Sequence, residues 1–151
     1  MTLEKAVFYR RMLSVGLSDT YQTEIECAIE QEALLSGLLL DLALCLSDIN
    51  KTISLLDGYI AGREADEEQV YEMLLSEFRK LYLNDAISLQ QAAEALLTIQ
   101  ESESLCCGEG WSDLLFLSYE YDDVKDGYCS MEDFLKLFLK FLCPEGKGEA
   151  L

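Results

Sequence analysis

The chain has 151 residues, of which half are apolar, 29 are acidic, 11 are basic and none is histidine, so its formal charge is −18. This length and apolar content are enough for a sizeable single core, which excludes a disordered chain. The lack of histidine disfavours most hydrolase mechanisms, and the negative charge repels nucleic acid.

Apolar residues recur at helical spacing along the sequence, and the first proline is Pro144. Nothing earlier forces a helix to stop, so long helices with short connections are expected. Helices are predicted at about residues 3–15 and 21–34, the second with an acidic outer side. Residues 38–46 are apolar on every side and predict a helix buried in the middle of the domain, with a continuation to about residue 60.

Capping signals mark the starts of the later helices. Apolar positions at helical spacing follow each signal, and they predict a helix in each case. Residues 111–121 are also predicted to be helical, although a short β element near 117–129 is allowed. The three signals pair Asp66 with Gln69, Ser88 with Gln91, and Ser130 with Asp133.

These patterns predict an all-α fold. We expect a single-domain compact bundle of about six to seven helices over residues 1–144, with a largely apolar central helix. Residues 145–151 are predicted to form a flexible tail. The longest apolar run has thirteen residues, fewer than the roughly twenty that cross a bilayer, and the N-terminus does not resemble a secretory signal. The chain is therefore expected to be cytoplasmic, with no membrane partner.

Two charged features have simple structural interpretations. Asp41 interrupts the apolar run and is expected to mark the solvent edge of its helix, because an unpaired buried carboxylate is rare. Lys5, Arg10 and Arg11 form the one basic cluster, and we expect them to balance acids on neighbouring helices rather than bind phosphate.

No cofactor or metal is assigned from the sequence. Residues 122–133 resemble an EF-hand loop in having Gly127 at the sharp-turn position, but Val124 replaces a ligand and Asp133 is shorter than the usual glutamate. Weak calcium binding therefore stays a minor alternative. Zinc is disfavoured because Cys106 and Cys107 are adjacent and histidine is absent. The cysteines are expected to be reduced, with Cys106 and Cys107 nearest to an exposed loop.

Residues 81–124 contain nine acids and no Lys or Arg. Acids, a glycine loop and aromatic residues coincide in the second half of this stretch, as in interfaces where aromatic anchors are ringed by polar groups. Trp111 has apolar neighbours, so its burial in the core is the competing interpretation. The predicted partner-binding residues are Glu101, Glu103, Glu109, Trp111, Asp113, Tyr119, Glu120, Tyr121, Asp122 and Asp123.

The leading hypothesis is a non-catalytic acidic protein that binds a basic protein. An immunity protein or antitoxin would fit, covering the active or substrate-binding surface of a basic toxin such as a nuclease. The alternative is a helical regulatory or adaptor subunit that binds a partner helix in a groove. An enzyme that uses paired carboxylates ranks third, since it would need a pocket with displaced pKa values.

Overall fold

The computed structural model describes residues 1–31, 36–105 and 108–144, with only the backbone of Glu109. Every helix or strand in these ranges is an α-helix, so the predicted all-α fold is confirmed. The predicted tail at 145–151 lies outside the described residues, as do Cys106 and Cys107. Within the described ranges there are eight helices: α1 (Leu3–Ser14), α2 (Asp19–Gln31), α3 (Gly37–Leu44), α4 (Ile49–Ile60), α5 (Glu67–Leu83), α6 (Leu89–Ser102), α7 (Glu109–Lys125) and α8 (Met131–Leu142).

The apolar run and its continuation form two helices, because the chain turns between α3 and α4. The side chain of Asp48 accepts a hydrogen bond from the N–H of Lys51 at 3.1 Å and caps α4. Thr52 Oγ1 donates to the backbone oxygens of Cys45 at 3.0 Å and Asp48 at 2.9 Å. These bonds satisfy polar groups that a continuous helix would have paired within itself.

The strand considered near residues 117–129 does not form. Helix α7 continues to Lys125, and a turn through Gly127, with φ +86°, leads to α8. The side chain of Ser130 caps α8 by accepting the N–H of Asp133 at 3.1 Å. The buried positions of α7 recur every three or four residues rather than every two, which is why the helix prevails over a strand here.

By backbone proximity the chain divides into two units, Met1–Val70 and Tyr71–Leu151. In the first unit, α1 packs against α2 and α4, and α3 packs against α2 and α4. Large side chains that are almost fully buried fill its interior. These include Tyr9, Met12, Tyr21, Ile25, Leu42 and Leu56.

The basic cluster of α1 pairs with acids of the same unit, as expected. The contact with α5 is the best formed, because the guanidinium of Arg11 is buried and bonds both carboxylate oxygens of Glu67. Two-point bonding of this kind is the strongest geometry for an arginine and a carboxylate. Pairs among the described residues include Lys5 with Glu24 at 3.8 Å, Arg10 with Asp57 at 2.9 Å, and Arg11 with Glu67 at 2.7 and 2.9 Å.

Helix α3 is apolar on every side, but it is not buried on every side. Leu39 and Leu42 are buried, whereas Leu40 is 46 % exposed and Leu44 is 79 % exposed. The expectation of a fully buried central helix was therefore wrong, because the helices packed on α3 within its unit cover only part of its circumference. Asp41 is exposed and marks the solvent side, as expected.

In the second unit, α6, α7 and α8 pack against one another. The predicted capping box is present at the start of α6, where Ser88 and Gln91 each accept the other's backbone N–H. At the end of α8, the backbone oxygen of Leu142 accepts a hydrogen bond from Arg79 Nε of α5 at 2.7 Å. This bond satisfies one of the last carbonyls of α8.

Candidate functional site

Helix α7 turns one side into the second unit, and Trp111 lies on that side. Trp111 is 1 % exposed, and the centroid of its ring system lies 5.1 Å from that of Tyr71 in an edge-to-face contact. Leu114 and Leu117 continue the buried side. Burial, with the negative charge of Asp113 adding to it, raises the pKa of Tyr71 to about 12. Trp111 therefore packs in the core and is not available to a partner.

The opposite side of α7 carries two exposed rings between carboxylates. Phe116 is 54 % exposed and Tyr119 is 60 % exposed. Asp113 is exposed, and Glu120 and Asp123 are partly exposed. Spacings of three and four residues place all five on one side of the helix. We call these five residues the α7 face.

The α7 face has no cationic partner within the described ranges. No Lys or Arg there forms an ion pair with Asp113, Glu120 or Asp123, whereas Asp122 on the neighbouring side does have one. The face therefore combines uncompensated negative charge with exposed aromatic surface, which is the composition expected of a site for a cation-bearing partner.

Tyr121 and Asp122 are engaged within the second unit. The hydroxyl of Tyr121 donates to Glu94 of α6 at 3.0 Å, and its ring lies 5.1 Å from that of Phe134. Burial raises the pKa of Tyr121, and the bond to Glu94 adds to the shift. Lys125 Nζ lies 3.0 Å from Asp122 and 5.2 Å from the Tyr121 ring centroid, and its bond to Asp122 raises the pKa of Lys125. The end of α7 thus already holds a cation between a ring and a carboxylate.

The remaining predicted residues lie at the end of α6 and the start of α7. Glu101 is exposed and accepts a hydrogen bond from Ser118 Oγ at 3.3 Å. Glu103 is the C-cap of α6 and is partly exposed. Glu109 begins α7, and its side chain lies outside the described residues. Glu101 and Glu103 are not members of the α7 face.

Phe116 belongs to the α7 face, but it is not among the site residues that the sequence predicts. It stands in the run Leu114-Leu115-Phe116-Leu117, which reads as core because all four residues are apolar. A signal was available, since Phe116 lies three residues from Asp113 and from Tyr119 and four from Glu120. Its exposure follows from helical spacing once one side of α7 is known to face inward.

The EF-hand comparison fails on geometry, because residues 122–125 still belong to α7 and a twelve-residue loop is not formed. Glu120, Asp123 and Cys129 do approach one another, with one ligand atom from each within 4.8 Å of the others. Three such atoms are fewer than the six to eight oxygens that calcium takes or the four ligands of structural zinc. We assign no metal to this group.

Comparison of the chain with models of protein families, with characterised proteins and with solved structures found no significant match. Within the described ranges, no helix combines the length and the apolar content that crossing a membrane requires.

Proposed function

We propose that this chain is a non-catalytic acidic protein-binding module, an immunity protein or antitoxin that neutralises a basic toxin. A nuclease is the natural kind of target, with the module covering its active or substrate-binding surface. The observation that carries the proposal is the α7 face, where Phe116 and Tyr119 are more than half exposed among three carboxylates. The chain has no histidine, and the proposal assigns it no catalytic step.

Electrostatics supports a basic partner. A net charge of −18, with no Lys or Arg in residues 81–124, produces a negative field over this part of the chain. Such a field speeds the encounter with a basic protein, and the effect falls with ionic strength. Carboxylates can also occupy the positions that phosphates take on a nuclease surface. The two rings supply the apolar anchors that interfaces use for affinity.

The test begins with a basic domain encoded beside the gene for this chain. Its association rate with the wild-type chain is measured by stopped-flow fluorescence from about 50 to 300 mM salt, together with protection of its substrate. The test variant is Glu120→Lys/Asp123→Lys. We expect it to associate about tenfold more slowly and with a flatter salt dependence, since both positions lie at the contact.

The matched control is Glu26→Lys/Glu30→Lys on α2, which changes the net charge by the same amount at exposed positions of the first unit. We expect its association to slow by less than about threefold, because these two residues are not part of the proposed contact and exposed charges outside a contact are screened by salt. Equal slowing by both variants would show that the α7 face is not the contact surface. Failure of every basic candidate to bind would overturn the proposed function itself.

A regulatory or adaptor subunit remains the second candidate, and Leu40 and Leu44 favour it. They lie four residues apart on the exposed side of α3, beside an open groove that includes Asp41, Cys45 and Leu55. An amphipathic partner helix would bury these leucines and would bind with little salt dependence. The variant Leu40→Ser/Leu44→Ser distinguishes the candidates, because it should abolish adaptor binding and leave binding through α7 intact.

A further inference from the structure

We infer that the α7 face selects arginine over lysine, so that the segment it binds presents arginine side chains to Phe116 and Tyr119. The inference rests on the proposed function and narrows the chemistry of the partner. The observation behind it is that aromatic rings and carboxylates alternate along one side of α7.

The face contains two ring-and-carboxylate pairs with the same spacing. Phe116 is followed four residues later by Glu120, and Tyr119 is followed four residues later by Asp123. Residues four apart are neighbours on a helix surface, so each exposed ring has a carboxylate beside it. Asp113 adds a third carboxylate one turn before Phe116.

Two cations of the described residues already lie over tyrosine rings, and one of them is also bonded to a carboxylate. Lys125 is bonded to Asp122 while it lies over the ring of Tyr121. In the first unit, the guanidinium carbon of Arg63 lies 4.4 Å from the ring centroid of Tyr59. Each contact lies within the distance at which a cation is attracted to an aromatic face. The pairs of the α7 face offer the same groups without a cation from the described residues.

Arginine fits this arrangement better than lysine does. A guanidinium is planar and weakly hydrated, so it can stack on a ring while its edge donates two hydrogen bonds to a carboxylate. An ammonium is compact and strongly hydrated, and it gives up more hydration to lie on a ring. The exposed rings therefore discriminate between two partners of equal charge, which the carboxylates alone would not do.

The dimensions define a suitable probe. Asp113 and Asp123 are separated by roughly 15 Å along the helix axis at about 1.5 Å per residue. In an extended peptide, alternate residues are about 6.6 Å apart and project on the same side. An eight-residue peptide of alternating arginine and serine spans the face, and its lysine counterpart has the same charge and length.

The experiment measures the affinity of both fluorescein-labelled peptides for the full chain by anisotropy at about 100 mM salt. We expect the arginine peptide to bind at least about threefold more tightly. In Phe116→Ala/Tyr119→Ala, its affinity should fall to that of the lysine peptide. Both rings are more than half exposed, so this variant is expected to fold, and circular dichroism checks it. Tyr128→Ala removes an exposed ring that lies outside α7, and it should leave the preference for arginine unchanged.

A second pair of variants separates the charge effect from the ring effect. Asp113→Asn/Glu120→Gln/Asp123→Asn should weaken both peptides severalfold. The control Glu26→Gln/Glu30→Gln/Glu68→Gln removes three exposed charges from the first unit and should have a much smaller effect. Equal affinity for both peptides, no binding of either, or a preference that persists without the rings would overturn the inference. The proposed function would survive any of these results if a basic partner still depends on Glu120 and Asp123.

Discussion

The ring of Tyr71 occupies the space that a Cβ atom on Gly110 would fill. A Cβ built on Gly110 meets the Cδ1, Cε1 and Cζ atoms of that ring closer than real contacts allow. Tyr71 is also packed against Trp111, so it cannot move without disturbing a side chain that is almost fully buried. The absence of a side chain at Gly110 is therefore what lets α5 and α7 approach each other within the second unit.

We predict that Gly110→Ala destabilises the chain by about 1–3 kcal/mol, the usual cost of overpacking a filled interior. The control is Gly58→Ala in α4, where an added Cβ meets nothing within 4 Å. That change should stabilise by about 0.5–1 kcal/mol, because alanine is the better helix former. Urea unfolding of both variants measures the difference, and equal effects would contradict the role of Tyr71.

The contact between Arg11 and Glu67 gives a prediction for the first unit. Glu67→Gln removes the negative charge that bonds the buried guanidinium at two points, and we expect a loss of stability of about 1–2 kcal/mol, discounted because the Glu67 carboxylate is partly exposed. Glu68→Gln removes the same charge from the same helical turn at an exposed position. It should cost less than about 0.5 kcal/mol. Chemical denaturation measures both, and a control that costs as much as the test would assign the loss to the helix terminus.

Tyr21 gives a prediction for alkaline pH. Burial raises its pKa from 10.0 to about 12, so the folded state keeps the proton after the unfolded state has lost it. The stabilisation from this group is complete below pH 10 and is lost as pH rises through 12. By pH 12 the loss is about 2 kcal/mol.

Tyr21→Phe should therefore lose less stability between pH 9 and pH 12 than the wild-type chain does. The pKa of Tyr71 is raised as well, so the variant still loses some stability as the pH rises over this range. Unfolding free energies from urea titrations at several pH values measure the two curves. Parallel curves would mean that the Tyr21 hydroxyl ionises in the folded state as readily as in the unfolded one.

The capping box of α6 gives a prediction whose control has the opposite sign. Ser88→Ala removes the side-chain oxygen that accepts the N–H of Gln91 at 3.1 Å, and it should cost about 1 kcal/mol. Ser54→Ala, at an exposed position inside α4, should gain a few tenths of a kcal/mol, since alanine is favoured in helix interiors. Thermal unfolding distinguishes the two, and a neutral Ser88→Ala would show that water replaces the cap.

Local signals predicted local structure well. The caps at Ser88 and Ser130 depend on neighbouring residues in the chain, so spacing and residue type were sufficient to find them. The starts of α5, α6 and α8 and the all-α class followed from the same information. The close approach of Tyr71 to Gly110 joins residues far apart in sequence, and no local pattern encodes it.

Burial was predicted less well, and the candidate site was affected. Leu44 and Phe116 are apolar residues in apolar runs, yet both are exposed, because the packing of neighbouring helices decides which side of a helix is covered. Trp111 was predicted as a site residue because acids lie near it in the sequence, yet it is buried, as its apolar neighbours also suggested. Of the nine predicted site residues whose side chains the structure describes, four lie on the α7 face: Asp113, Tyr119, Glu120 and Asp123.

The two-sided character of α7 bears on the thermodynamics of binding. Its inner side is anchored by Trp111, Leu114 and Leu117, so the backbone that carries Phe116 and Tyr119 is ordered before any partner arrives. The entropy lost on association then falls mainly on the partner and on a few surface rotamers, because no segment of α7 has to fold on contact. We expect such preorganisation to give a small heat-capacity change on binding. We also expect the complex to dissociate more slowly than one held by charge attraction alone.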